Sequence, residues 1–311
     1  MPSPEAAKLW KKLCVAPDPE DLELQEQREA EELVEDPASD PAGVRYDRAT
    51  PLDGLWATPE SWDGRSTVLY LFGGGYVASS PGTRRTLAGH LARAAGARVA
   101  VPDYRLAPEH PFPAALEDAI DAYRWLIAEV GTDPGNIVVA GDSAGGGLAL
   151  AAMLRMRGDG LPLPVGGVAI SPWVDLALTG ESLDARADAD LTVTKADLER
   201  KAREYLDGAD PRAPLASPLY GDLTGLPPLL VVVGADEALL DDSIRLVRKA
   251  GIAGVQTTLI IEPEMQHAFP IFAGRMPEAD AAIAGIGEWI RRRLTLSAPE
   301  ALSPEARAGR R

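Results

Sequence analysis

One segment limits what this chain can fold into more than any other: Ile137-Val138-Val139-Ala140-Gly141-Asp142-Ser143-Ala144-Gly145-Gly146-Gly147. An apolar, β-forming run enters Gly-Asp-Ser-Ala-Gly, and the helix-forming stretch Leu148-Ala149-Leu150-Ala151-Ala152-Met153-Leu154 leaves it. The pattern predicts a strand, a sharp turn and a helix, with a serine at the tip of the turn. Gly-x-Ser-x-Gly spacing removes the side chains that would clash in so tight a turn, so the Ser143 hydroxyl stands exposed.

The rest of the chain supplies the sheet that such a turn needs. Strands are predicted at Val44 to Asp47, Gly54 to Ala57 and Thr67 to Phe72, followed by strict alternation. Thr83 to Ala95 reads as helix, Arg98 to Tyr104 as strand, Ala114 to Val130 as helix and Asn136 to Asp142 as strand. Val165 to Ser171, Leu229 to Gly234 and Thr257 to Ile261 are short, nearly continuous apolar runs, the pattern of buried parallel strands covered on both faces. Helices Asp241 to Ala250 and Pro277 to Leu294 fill the gaps between and after them. The fold class is α/β, a doubly wound, mostly parallel sheet flanked by helices.

Two segments stand outside this alternation. Residues 1–40 are acidic and read as helices, Pro4 to Val15 and Asp18 to Glu35, with Asp18 or Asp21 as cap. Their apolar positions are sparse, which predicts a surface cover and not a core element. Between Trp173 and Leu226 the alternation lapses into an acidic helix, Asp197 to Leu206, and proline-rich loop. A segment of that size in a compact sheet fold reads as a lid. The expected organisation is N-terminal cap helices over 1–43, a core of 44–172 and 227–296, a lid insertion of 173–226, and a disordered tail of 297–311.

A serine hydroxyl is a poor nucleophile at neutral pH and needs a base within hydrogen-bond reach. Three histidines are available. His90 falls inside an Ala/Leu-rich helix and reads as a partly exposed helix residue. His110, in Ala107-Pro108-Glu109-His110-Pro111, reads as a loop residue with a structural hydrogen bond. His267, in Met265-Gln266-His267-Ala268-Phe269, follows the last predicted strand, and the carboxyl ends of parallel strands carry the ligand site. It is the candidate base. The orienting acid belongs after the preceding strand, where Ala235-Asp236-Glu237-Ala238-Leu239-Leu240-Asp241-Asp242 offers four carboxylates. Asp241 and Asp242 read as the start of a helix, which leaves Asp236 or Glu237. Acyl transfer also needs donors for a developing oxyanion. The run Leu71-Phe72-Gly73-Gly74-Gly75-Tyr76 after a strand supplies them, with the N–H groups of Gly74 and Gly75 beside that of Ala144.

Composition excludes several partners. With 311 residues and a net charge of −16 the chain offers no basic face for nucleic acid or an anionic membrane. Cys14 is the single cysteine, which rules out an internal disulfide and fits a reducing cytoplasm. No metal site is expected. No apolar stretch approaches the roughly 20 residues of a membrane span. The N-terminus Met-Pro-Ser-Pro-Glu lacks the basic region and apolar core of a secretion signal, so a cytoplasmic location is expected.

Three segments together resemble the hormone-sensitive-lipase-like branch of the α/β-hydrolases, the bacterial family IV esterases. They are Phe72-Gly73-Gly74-Gly75-Tyr76, Asp103-Tyr104-Arg105-Leu106-Ala107-Pro108-Glu109 and Gly141-Asp142-Ser143-Ala144-Gly145-Gly146. The resemblance implies an α/β-hydrolase fold with a helical cap, Ser143 as nucleophile, His267 as base, and Gly74, Gly75 and Ala144 as oxyanion donors. The family's acid motif, Asp-Pro-Leu-Arg-Asp, aligned on Leu239 and Asp241, puts Glu237 in the acid's place, with Asp236 as the alternative. Asp103 and Glu109 are expected to brace loops. Phe72 departs from the family, whose motif begins with a histidine that holds the glycine loop in shape.

The resemblance implies a serine carboxylesterase acting on short- to medium-chain esters through an acyl-enzyme, with no cofactor. Its partner would be a small-molecule ester or lactone, and a homodimer is compatible with it. Two other readings use the same residues: a biosynthetic hydrolase, lactonase, cyclase or acyltransferase with the same triad, and a ligand-binding pseudoenzyme.

Overall fold

The computed structural model describes residues 1–13, 24–26, 28–29 and 40–296. The caps expected at Asp18 and Asp21, most of the helix expected over Asp18 to Glu35, and the tail expected at 297–311 lie outside the described residues.

Eight strands form one sheet: β1 (Val44–Ala49), β2 (Gly54–Pro59), β3 (Thr67–Leu71), β4 (Arg98–Val101), β5 (Ile137–Asp142), β6 (Gly166–Ile170), β7 (Leu229–Gly234) and β8 (Thr257–Glu262). Their order is β1-β2-β4-β3-β5-β6-β7-β8. The β1–β2 and β2–β4 pairs are antiparallel and the remaining pairs parallel. The helices are α1 (Pro4–Leu13), α2 (Arg85–Ala95), α3 (Ala114–Ala128), α4 (Ala144–Gly158), α5 (Ser182–Ala185), α6 (Lys195–Leu206), α7 (Leu240–Ile252) and α8 (Pro277–Leu296). This is the α/β architecture expected from the alternation. Among the described residues no helix is long and apolar enough to cross a membrane.

The apolar runs explain the centre of the sheet: every residue of β3, β5, β6 and β7 is buried. Each fully buried Val or Leu there contributes about 1.5–3 kcal/mol of hydrophobic stabilisation. Helix α2 packs on α8 and α3 on α4. Helix α2 ends where Gly96 takes a left-handed φ of 62° and returns its N–H to Ala92 O, the conformation that glycine adopts without steric cost.

Three expectations need correction. The last strand is not buried: residues of β8 are half-buried or exposed, and Ile260 and Ile261 are 37% and 41% exposed. It is the sheet's final strand, with a neighbour on one side only. The strand expected over Arg98 to Tyr104 stops at Val101, because Pro102 has no N–H to continue the ladder. Helix α1 is more than a cover. Ala6 and Trp10, one turn apart, are buried, and Trp10 meets Phe272 edge-on at 5.8 Å.

The winding of the sheet fixes where a ligand site can form. From β3 the chain turns to one side to make β4, then crosses back to place β5 on the other side of β3. The carboxyl ends of two neighbouring strands from which the chain departs in opposite directions leave a crevice. Here those ends carry Phe72-Gly73-Gly74-Gly75 and Ser143.

Candidate active site

Ser143 sits between β5 and α4 with φ 52° and ψ −123°. Its N–H bonds to Ile170 O at 2.8 Å, and its carbonyl accepts from Trp173 N at 2.9 Å and Gly147 N at 3.1 Å. The elbow is thus gripped by the neighbouring strand and by the next turn of helix. The flanking glycines are required by close approach. A Cβ on Gly145 would stand 2.1 Å from Leu71 O, and one on Gly141 2.3 Å from Gly145 O.

Of the three histidines, His267 meets Ser143. Its Nε2 lies 2.9 Å from Ser143 Oγ and its Nδ1 lies 3.2 Å from Glu237 Oε1. A carboxylate can only accept, so Nδ1 carries the proton and Nε2 is the acceptor for the serine hydroxyl. His90 lies on α2 and His110 in the proline-rich loop, where its N–H bonds to Leu106 O. Of the two adjacent carboxylates the ring meets Glu237. Asp236 gives its backbone N–H to Met265 O. Glu237 is fully buried, and its second oxygen accepts from Ser171 Oγ at 2.7 Å and Gly234 N at 2.9 Å. Burial alone would lower the His267 pKa. The hydrogen bond and charge of Glu237, with Asp190 and Asp142 farther off, outweigh it and hold the pKa above the ordinary 6.5.

The glycine loop curls because Val77 and Ala78 return their N–H groups to Gly74 O. Among the described residues neither Gly74 N–H nor Gly75 N–H has a backbone acceptor. The Ala144 N–H opens α4, where the first donors of a helix have no internal partner. A Cβ on Gly73 would stand 3.1 Å from the Cβ of Ser143, so the loop and Ser143 are in contact.

Phe72 cannot hold this loop by a hydrogen bond; its ring is fully buried and stacks on Tyr104 at 4.0 Å, whose hydroxyl donates to Phe72 O at 2.6 Å. The polar hold comes from Asp142, whose Oδ1 accepts from Gly73 N at 3.0 Å and Tyr70 OH at 2.7 Å. The Arg84 guanidinium neutralises the same carboxylate at 3.0 Å. Sequence reasoning missed Tyr70, Arg84 and the role of Asp142. It also missed Ser171, which ties two loops together: its hydroxyl donates to Glu237 and accepts from Ala268 N at 3.0 Å, beside the ring. A serine ending one strand gave no signal of contact with an acid 66 residues away.

The segment between β6 and β7 is joined to the loops of the site. Gln266, next to His267, accepts from Leu191 N at 2.7 Å and donates to Ala189 O at 3.0 Å. Ala238, next to Glu237, donates to Asp190 Oδ2 at 2.8 Å. Asp241 and Asp242 do more than open α7. Asp241 accepts from Glu181 N and Ser182 N, and the buried Asp242 from Val174 N and Asp175 N. On the other side, Arg28 bonds to Val77 O, to Ala107 O and to both oxygens of Glu109, so Glu109 braces a loop as expected.

Known proteins are similar to this chain. A family model described as the alpha/beta hydrolase fold matches residues 68–271. An acetyl-hydrolase of Streptomyces hygroscopicus is 49% identical over 236 residues, covering 76% of this chain and 78% of the relative. An esterase of Acinetobacter venetianus is 39% identical over 223 residues, 71% of this chain and 73% of its own. The crystal structure of an esterase from the bacterial hormone-sensitive lipase family superposes with a TM-score of 0.90 at 42% identity, covering 94% of this chain and 99% of that one. The chain belongs to the hormone-sensitive-lipase-like esterases of the α/β-hydrolase superfamily.

Proposed function

We propose that this carboxylic ester hydrolase works through a serine acyl-enzyme, with Ser143 as nucleophile, His267 as general base and Glu237 as orienting acid. The observation that carries the reading is the imidazole held between Ser143 Oγ at 2.9 Å and the Glu237 carboxylate at 3.2 Å. Oγ attacks the ester carbonyl while Nε2 takes its proton, and the tetrahedral oxyanion meets the N–H groups of Gly74, Gly75 and Ala144. Nε2 then protonates the departing alcohol as the C–O bond breaks. A water activated by the same nitrogen attacks the acyl-enzyme and releases the carboxylic acid and free Ser143. Glu237 stays ionised throughout, holding the ring and stabilising the imidazolium. Every proton in this cycle moves between groups of the chain, substrate and water.

The substrates are short- to medium-chain esters. The similarity to an acetyl-hydrolase supports the short end of that range. Residues 173–226, with the N-terminal residues that include Arg28, form the cap over the site; the bonds of Arg28 and of residues 189–191 to the loops of the site support this. The protein works in the cytoplasm, a reading supported by the single cysteine. A homodimer through β8 is supported by an exposed final strand carrying Ile260 and Ile261, and light scattering on the purified chain tests it.

The experiment for the mechanism is a panel of p-nitrophenyl esters and lactones run on the wild type and on Ser143→Ala, with fluorophosphonate labelling. Turnover and labelling are expected only in the wild type. Turnover retained by a folded Ser143→Ala chain overturns the assignment.

A further inference from the structure

We infer that Lys201 sets the length of the acyl group this esterase accepts, its aliphatic stem closing the pocket against Gly75. This rests on the serine-hydrolase reading above. Lys201 lies on α6, in the segment between β6 and β7, yet it reaches the glycine loop. A Cβ built on Gly75 would stand 2.3 Å from Lys201 Cδ and 3.2 Å from both its Cγ and its Cε. The stem therefore lies directly on the loop residue whose N–H is to receive the oxyanion. One turn along the same helix face, Tyr205 stacks on Tyr76 of that loop, with ring centroids 3.8 Å apart. Together the two contacts seat α6 on the glycine loop.

A lysine stem is ordinarily a poor wall, because four rotatable bonds let it swing away. This one is anchored at both ends. Its Nζ pairs with Asp197 Oδ2 at 2.8 Å, one turn back on the helix, and the side chain is 13% exposed. Asp197 is itself fixed: its N–H bonds to Thr194 Oγ1 at 3.1 Å, and its other oxygen takes Arg200 at 2.6 Å. An ester whose carbonyl oxygen rests on the Gly74 and Gly75 N–H groups directs its acyl chain past this anchored stem. On this inference a short acyl group fits with the stem in place, and a longer chain must displace it and break its ion pair.

The test is the chain-length profile, kcat/KM on p-nitrophenyl acetate, butyrate and octanoate, for wild type, Lys201→Ala, Lys201→Met and Asp197→Asn. Fluorophosphonate labelling of Ser143 in each variant reports an intact site. The wild-type rate is expected to fall steeply from acetate to octanoate. Lys201→Ala removes the wall and raises the octanoate-to-acetate ratio about tenfold, the scale on which a pocket discriminates by methylene count. Lys201→Met keeps most of the bulk of the stem but loses the Asp197 anchor, and raises the ratio by a smaller factor than Lys201→Ala does. Asp197→Asn frees the stem without deleting it and raises the ratio by a smaller factor. An unchanged profile in an active Lys201→Ala chain overturns the inference. So does a Lys201→Met profile matching Lys201→Ala, which assigns the selectivity to charge. A wild type that hydrolyses none of the three esters overturns the hydrolase reading and this inference together.

Discussion

Asp142 Oδ1 lies 3.0 Å from the backbone nitrogen of Gly73, so the residue before Ser143 also aims the glycine loop beside it. Tyr70 OH shares that oxygen, and Arg84 balances the charge. Asp142→Ala should therefore lower kcat by about 10²-fold, the scale of one lost oxyanion donor, with little change in KM. Steady-state kinetics on p-nitrophenyl butyrate checks the split; a rise in KM at constant kcat would mean that Asp142 serves ground-state binding instead.

Phe72→His should bring no gain in activity. The Phe72 ring stacks on Tyr104 in a fully buried site, and the loop already has its polar support from Asp142. An imidazole there loses apolar packing and must find a partner, so the variant should melt a few degrees lower at unchanged or reduced kcat. A thermal melt beside the kinetics decides it.

Glu237→Ala should lower kcat by about 10³- to 10⁴-fold, because the ring loses the group that fixes its tautomer. Asp236→Ala should change kcat by less than about threefold, as the ring's Nδ1 pairs with Glu237 instead. Parallel kinetics on the two variants separates the adjacent carboxylates.

The pH profile follows from the raised pKa of His267. In the proposed mechanism His267 must be neutral to act, so kcat/KM should rise with pH through a midpoint above 6.5. Glu237→Gln removes the hydrogen-bonded charge that opposes burial. Its midpoint should move to lower pH while its plateau falls. A midpoint unmoved in that variant would count against the pairing.

Asp242 should make stability depend on pH. Burial pushes its pKa up to about 8, with the charge of Asp175 adding to burial and the Val174 N–H opposing it. In the unfolded chain it titrates near 4. Between those values the folded form holds a proton that the unfolded form has released. Its contribution is thus complete below about pH 4 and is lost as pH rises through 8. Asp242→Asn keeps an acceptor for the Val174 and Asp175 N–H groups and removes the titration. Melts from pH 4 to 8 should be flatter for this variant than for the wild type.

What was legible in the sequence was local. Gly141 and Gly145 announced the elbow because a turn this tight excludes side chains, and the apolar runs of β6 and β7 announced their own burial. His267 was found by its place after a strand. The illegible features depend on tertiary neighbours. β8 carries the apolar run Leu259-Ile260-Ile261 like its companions, and its place at the end of the sheet order leaves it half-exposed. Choosing Glu237 over Asp236 from the residues alone fails because adjacent residues share every periodicity, and the family alignment was needed. Ser171, Arg84 and Lys201 carry no motif; each acquires its role by meeting a residue on another loop.

The bonds from Gln266 and Ala238 to residues 189–191 have a consequence for how the enzyme fails. The partners of these three residues are the immediate neighbours of His267 and Glu237, so the stretch cannot melt without loosening ring and acid. Heat inactivation should then coincide with loss of amide protection over 189–191, one cooperative event in which this stretch and the residues it is bonded to are lost together.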